Sequence, residues 1–116
     1  MTPTAEQLTI AELLIESHTT AISKGWWEEK KSFPECIALA HSELSEALEE
    51  YRNGEFYWQI KYEGQCKPAG IAVELADLII RIADTCQAFE IPLEQALKEK
   101  MEYNKTRSHK HGGKKI

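Results

Sequence analysis

The sequence predicts an all-α protein built like a four-helix bundle, with four helical segments and no sustained strand pattern. Three observations carry this expectation. Apolar residues recur at spacings of three and four, a helix-start signature stands at Ser32, and glycine or proline marks the joints between segments. At 116 residues the chain is one domain by length, large enough for a modest core. With 42% hydrophobic and 28% charged residues, its composition is that of an ordinary globular protein.

The first helix is expected over residues 4–23. Leu8, Ala11, Ile15, His18 and Ile22 follow a 3-4-3-4 spacing, the mark of one face packed on neighbours. His18 lies on that stripe and reads as a core histidine with its polar atoms satisfied. Gly25 supplies the stop. The second helix starts at Ser32-Phe33-Pro34-Glu35, an S-x-x-E capping box with proline in the first turn. It runs to Arg52, where Asn53-Gly54 breaks it. Residues 55–68 read as a loop or an irregular hairpin, ended by Pro68 and Gly70. The third helix covers residues 69–89. Pro92 suits the first turn of a fourth, which reaches residue 106. Residues 1–107 thus form the domain, and 108–116, SHKHGGKKI, form a basic tail expected to be flexible without ligand.

No apolar run approaches the roughly 20 residues needed to span a bilayer. The opening MTPTAEQLTI lacks the basic and apolar regions of a signal peptide. Cys36, Cys66 and Cys86 form no C-x-x-C and read as free thiols of a reducing compartment. The expectation is a cytoplasmic protein without a membrane partner. Its net charge of −5 is unevenly spread. Residues 98–116 carry seven Lys or Arg against Glu99 and Glu102, a net of +5; the other 97 residues carry seven against seventeen acids, a net of −10. An acidic body with a basic end fits a ligand made of metal and phosphate.

The third helix holds the chemistry. GIAVELADLIIRIADTC is apolar almost all round, as expected of a helix buried among others, yet it contains Glu74, Asp77, Arg81 and Asp84. Their spacings of three, four and three put them on one face. Arg81 can balance part of that charge, one turn from Asp77 and one from Asp84. On the second helix Glu43, Glu46 and Glu50 form a similar stripe beside the apolar Ile37, Leu44, Leu48 and Tyr51. If the two acid stripes face each other, Glu43, Glu46, Glu74 and Asp77 converge. Four carboxylates that close repel unless cations sit between them. Hard oxygen donors favour Mg²⁺ or Mn²⁺ over zinc. A di-iron carboxylate bundle would need Glu-x-x-His pairs, and the chain has none at that spacing.

These residues resemble the MazG-like family of all-α nucleoside triphosphate pyrophosphohydrolases. That family carries E-x-x-E on one helix and E-x-x-D on a later one. Here the motifs read Glu43-Leu-Ser-Glu46 and Glu74-Leu-Ala-Asp77, with 27 residues between Glu46 and Glu74. HSELSEALEEYR, GIAVELADLIIRI and YNKTRSHKHGGKK also look like its compact single-domain branch, and the likeness extends from about Gly25 onward. Many members have a second acid directly before the first glutamate; Ser42 occupies that place. The resemblance implies a MazG-type fold and a homodimer or homotetramer. It also implies Mg²⁺-dependent cleavage of NTP or dNTP between the α- and β-phosphates, giving a monophosphate and pyrophosphate. Removal of surplus or noncanonical nucleotides is the expected role. Glu43, Glu46, Glu74 and Asp77 would hold the metal and form the catalytic centre, with Glu46 a candidate for activating the water.

Phosphate and base contacts are expected around them. Lys100, Asn104 and Arg107 share a face of the fourth helix and suit phosphate and sugar. Lys110 and His111, beside Gly112-Gly113, could close over the triphosphate. Trp26 and Trp27 are candidate base-stacking surfaces with Lys30 and Lys31 near them, although tryptophan serves packing more often. His41 would reach the ligand or support the glutamates. A competing expectation is a non-catalytic helical module that binds nucleotides or nucleic acid through its basic C-terminus. No stable nucleic-acid partner is expected of the enzyme.

Overall fold

The computed structural model describes residues 7–54 and 56–107. Helices account for 66% of them, so the chain is mostly helical, with one small sheet added. In chain order the elements are α1 (Ile10–Ser23), α2 (Phe33–Arg52), β1 (Lys61–Glu63), β2 (Lys67–Ala69), α3 (Ile71–Ala88) and α4 (Leu93–Thr106).

The helix ends follow local chemistry. Thr9 caps α1 through its hydroxyl and Glu12 returns the bond, a second capping box that moves the start from residue 4 to Ile10. Residues 4–6 lie outside the described set. Ser32 and Glu35 cap α2 in the same reciprocal way, as expected. Gly25 terminates α1 at φ +85°: its N–H donates to Ile22, and that of Trp26 donates to Ala21. A β-carbon at residue 25 would also press on the Glu28 carboxylate at 2.8 Å. Residues 61–69 form an antiparallel hairpin in which Lys61 pairs with Ala69 and Glu63 with Lys67, which resolves the loop-or-hairpin alternative.

α3 is the central element, packed against α1 on one side and α2 on the other. Against α1 the core consists of Leu14, Ala83 and Cys86, extended by Ile10, Leu13, Ile91 and Leu93. The buried face of α1 is therefore Leu14 and Ser17, and not the predicted stripe, of which Leu8, Ile15 and Ile22 are exposed. α1 is apolar on both faces, so periodicity alone does not select one. α2 departs further. Cys36, Leu39, Ala40, Glu43, Ala47 and Glu50 are its buried or half-buried positions, while Ile37, Leu44, Leu48 and Tyr51 face outward. Small residues let α2 lie close to α3, and the glutamates between them are carried inward.

Among the described residues the four helices do not close into a bundle. Leu93 anchors the start of α4 to the core, but every residue from Gln95 to Thr106 is exposed. α3 also leaves Leu75, Ile79, Ile80 and Ile82 exposed, so it is not enclosed on all sides. The radius of gyration is 16.9 Å, where a compact domain of this length would have about 13 Å. No helix among the described residues is long and apolar enough to cross a membrane.

Candidate metal and ligand site

The seam between α2 and α3 gathers the predicted acids. Glu43, Glu46 and Glu74 each offer a carboxylate oxygen, and these three oxygens lie within 4.8 Å of one another. Glu43 and Glu74 are half-buried and Glu46 is exposed, so the cluster opens to solvent on one side. Asp77 stands outside this trio, one turn along α3 from Glu74, and its charge still acts on Glu74. Glu50 does so from α2.

Glu74 records the crowding. Its carboxyl is pushed up to about 7, first by burial, then by a hydrogen bond with Glu46 and by the charges of Glu46, Asp77 and Glu50. A carboxyl so placed holds a proton near neutrality because it is drawn out of water and its neighbours are also acids. A cation supplied to the trio would reverse that balance. The donor set is all oxygen, which fits a hard divalent ion such as Mg²⁺ or Mn²⁺.

Next to the acids lies a cavity of about 480 Å³, within the range used for small ligands. Leu8, Leu13, Ile80 and Trp26 supply its apolar wall, while Glu43, Asp77 and Arg81 bring it to the edge of the acid cluster. Arg81 Nη2 donates to Glu43 Oε1 at 3.2 Å, and its guanidinium lies 4.6 Å from the centroid of the Trp26 ring.

The turn carrying Trp26 is pinned by its neighbour. Trp27 Nε1 donates to both oxygens of Asp84, at 2.9 and 3.1 Å, and His18 Nδ1 lies 2.7 Å from Asp84 Oδ1. His18 is thus a satisfied histidine, as expected, although it is only half-buried. Trp27 also meets His18 and Phe89 edge-on, and Phe89 meets Phe33. Lys31 completes the turn: its Nζ donates to the Trp26 carbonyl at 2.7 Å and sits 4.5 Å from the Trp27 centroid.

The remaining candidates are not brought to the acids. His41 is exposed on α2, and Lys30 is exposed in the turn. Lys100 and Asn104 lie on α4 and Arg107 caps its C-terminus, with Lys100 and Arg107 over the Tyr103 ring. Among the described residues, no ion pair or hydrogen bond joins these five to Glu43, Glu46, Glu74 or Asp77. Lys110 and His111 lie outside the described residues. Sequence reasoning missed the role of Asp84. It saw Arg81 only as a counter-charge, although the spacing to Asp77 and Asp84 already placed Arg81 on the acid face. Comparison of the chain with family models, with curated proteins and with solved structures finds no match.

Proposed function

We propose that the protein is a Mg²⁺-dependent nucleoside triphosphate pyrophosphohydrolase that cleaves between the α- and β-phosphates. The observation that carries this reading is the three-carboxylate cluster of Glu43, Glu46 and Glu74, whose Glu43 also lines a cavity walled by Trp26. The MazG-like motifs on α2 and α3 support it from the sequence.

In this reading Glu43, Glu46 and Glu74 hold the cation, with Asp77 adding charge from the cavity side. Divalent metal ions neutralise phosphate oxygens and make a bound water acidic enough to attack at neutral pH. Glu74 gives up its proton when the cation is loaded, because a ligating carboxylate must be deprotonated. Glu46, the exposed member of the trio, can orient the attacking water or take its proton. The cavity takes the nucleoside, with Trp26 offering a stacking face and the apolar wall excluding water.

The chain works as a homodimer or homotetramer in this reading. The outward stripes of α1 and α2, and the exposure of nearly all of α4, leave apolar surface that a second copy would cover. Light scattering at high concentration should give more than one chain; a clean monomer would contradict it.

A panel of NTPs and dNTPs with Mg²⁺, with the products resolved, tests the activity. Monophosphate and pyrophosphate are expected, and turnover of none of them by protein that binds Mg²⁺ would reject it. The exposure of Lys100 and Asn104 favours the second reading, a non-catalytic module that binds through its basic end. In that case Glu43→Gln and Asp77→Asn would leave nucleotide binding without metal almost unchanged, and removal of residues 108–116 would abolish it.

A further inference from the structure

Arg81 stands where the acid cluster meets the cavity, and two different forces hold it. Toward α2 it makes one N–H···O contact with Glu43, at 3.2 Å. Charge-assisted bonds of this kind are usually about 2.7–2.9 Å, and the strongest are two-pronged. Toward the α1–α2 turn, its guanidinium lies 4.6 Å from the Trp26 centroid. A guanidinium has five N–H donors, and this pair uses one of them.

The two attachments respond differently to a cation. A divalent ion on Glu43, Glu46 and Glu74 competes with Arg81 for the Glu43 carboxylate and repels the guanidinium. It does not compete for the Trp26 ring. We propose that Arg81 is a placeholder: it neutralises Glu43 in the metal-free protein, yields Glu43 to the metal, and stays on Trp26 with its donors free to hold an anionic group of the cavity ligand. This rests on the reading of the trio as a cation site.

The charge balance explains why such a residue is needed. Glu43, Glu46, Glu50, Glu74 and Asp77 all lie along the α2–α3 seam, and Arg81 supplies the cation that an ion pair puts against them. Its backbone is fixed in the middle of α3 and its side chain rests on a ring, so it can release Glu43 without leaving the site. Once released, it adds positive charge where a phosphate would approach. Metal loading and anion binding then favour each other, as linkage between two sites requires.

The experiment uses protein labelled with fluorotryptophan and Mg²⁺ alone as the probe. The chain has three tryptophans, and Trp26→Phe assigns the signal of residue 26. Mg²⁺ should move that signal, and Glu43→Ala without metal should move it in the same direction. Arg81→Met should abolish the movement and bind Mg²⁺ more tightly by about three- to tenfold, the scale of a partly exposed ion pair. At saturating Mg²⁺ it should bind inorganic pyrophosphate more weakly by a similar factor of about three to ten.

Should Arg81→Met fail to fold, Arg81→Lys keeps the charge but lacks the flat face, and the Trp26 response should shrink. An unchanged response in that variant would overturn the proposal. So would a wild-type protein that binds Mg²⁺ with the Trp26 signal unmoved, or an Arg81→Met protein that binds Mg²⁺ less tightly. A wild-type protein that binds no Mg²⁺ would overturn the cation site itself, and that outcome is visible in the same titration before any variant is made.

Discussion

The two ends of α3 each take a carboxylate out of water, and they do so in opposite ways. Asp84, 5% exposed, meets donors: Trp27 Nε1 and His18 Nδ1, both within 3.1 Å. Glu74, two to three turns earlier, meets acids from α2 and from its own helix. Among the described residues no buried side-chain nitrogen or oxygen lacks a partner, so the Asp84 end is a finished structural joint. At the Glu74 end, like charges stand together with Arg81 as partial relief. Burial of an acid therefore says little about function until its partners are named. An acid among donors holds the fold; an acid among acids is, in the proposed reading, a ligand for a cation.

The sharpest way to break this contrast is to remove the joint. Asp84→Ala should cost about 3 kcal/mol or more, because it leaves His18 and Trp27 without their acceptor and frees the turn that carries Trp26. Urea melts measure it; a loss below about 1 kcal/mol would mean that Asp84 pins nothing. At the other end, Glu46→Gln should lower turnover of the best nucleotide by about 100-fold or more while leaving the metal-free fold as stable as before. Equal damage to fold and turnover would erase the distinction between the two ends.

pH should separate them further. The Glu74 carboxyl titrates near 7 in the folded chain, against an ordinary value of 4.5. Between these values the folded state holds more protons than the unfolded one, so stability falls as pH rises. The stability that Glu74 contributes is full below pH 4.5 and is lost as pH passes about 7. In metal-free protein Glu74→Gln should flatten that decline and raise the melting temperature at pH 8 by several degrees. Mg²⁺ affinity of the wild type should rise over the same window, since the ligand must lose its proton. A metal-free melting temperature that is level from pH 5 to 8 in wild type would refute the crowding at Glu74.

Much of this was legible in the residues, and the physics explains where legibility stops. Capping boxes are local, so Ser32-x-x-Glu35 was readable, and Thr9-x-x-Glu12 was equally visible had the helix start been sought there. The acid stripes were readable because spacings of three and four fix a helix face. The face of each helix that turns inward was not. On α2 the expectation favoured large apolar residues at the contact, but Cys36 and Ala47 form the close seam and carry Glu43 in with them. Pairings between distant residues were also hidden: His18 and Asp84 are 66 positions apart, and Arg81 and Glu43 are 38 apart. Periodicity places a residue on a face but says nothing about what stands opposite.

The smallest expected effect tests whether adjacent tryptophans divide these two roles. Trp27 donates to Asp84 and packs edge-on against His18 and Phe89, whereas Trp26 is 48% exposed and faces Arg81 and the cavity. Trp27→Phe keeps a ring in the aromatic cluster and removes one donor to a carboxylate that retains His18. The cost should be about 1.5–3 kcal/mol, typical of a hydrogen bond to a charged group, with Mg²⁺ affinity unchanged. Trp26→Phe should spare stability to within about 0.5 kcal/mol, as expected of an exposed position, and should weaken nucleotide binding. Denaturant melts and calorimetry on both variants decide it. If the effects are exchanged, so that Trp26 carries stability and Trp27 carries binding, the cavity side of the turn has been assigned to the wrong ring.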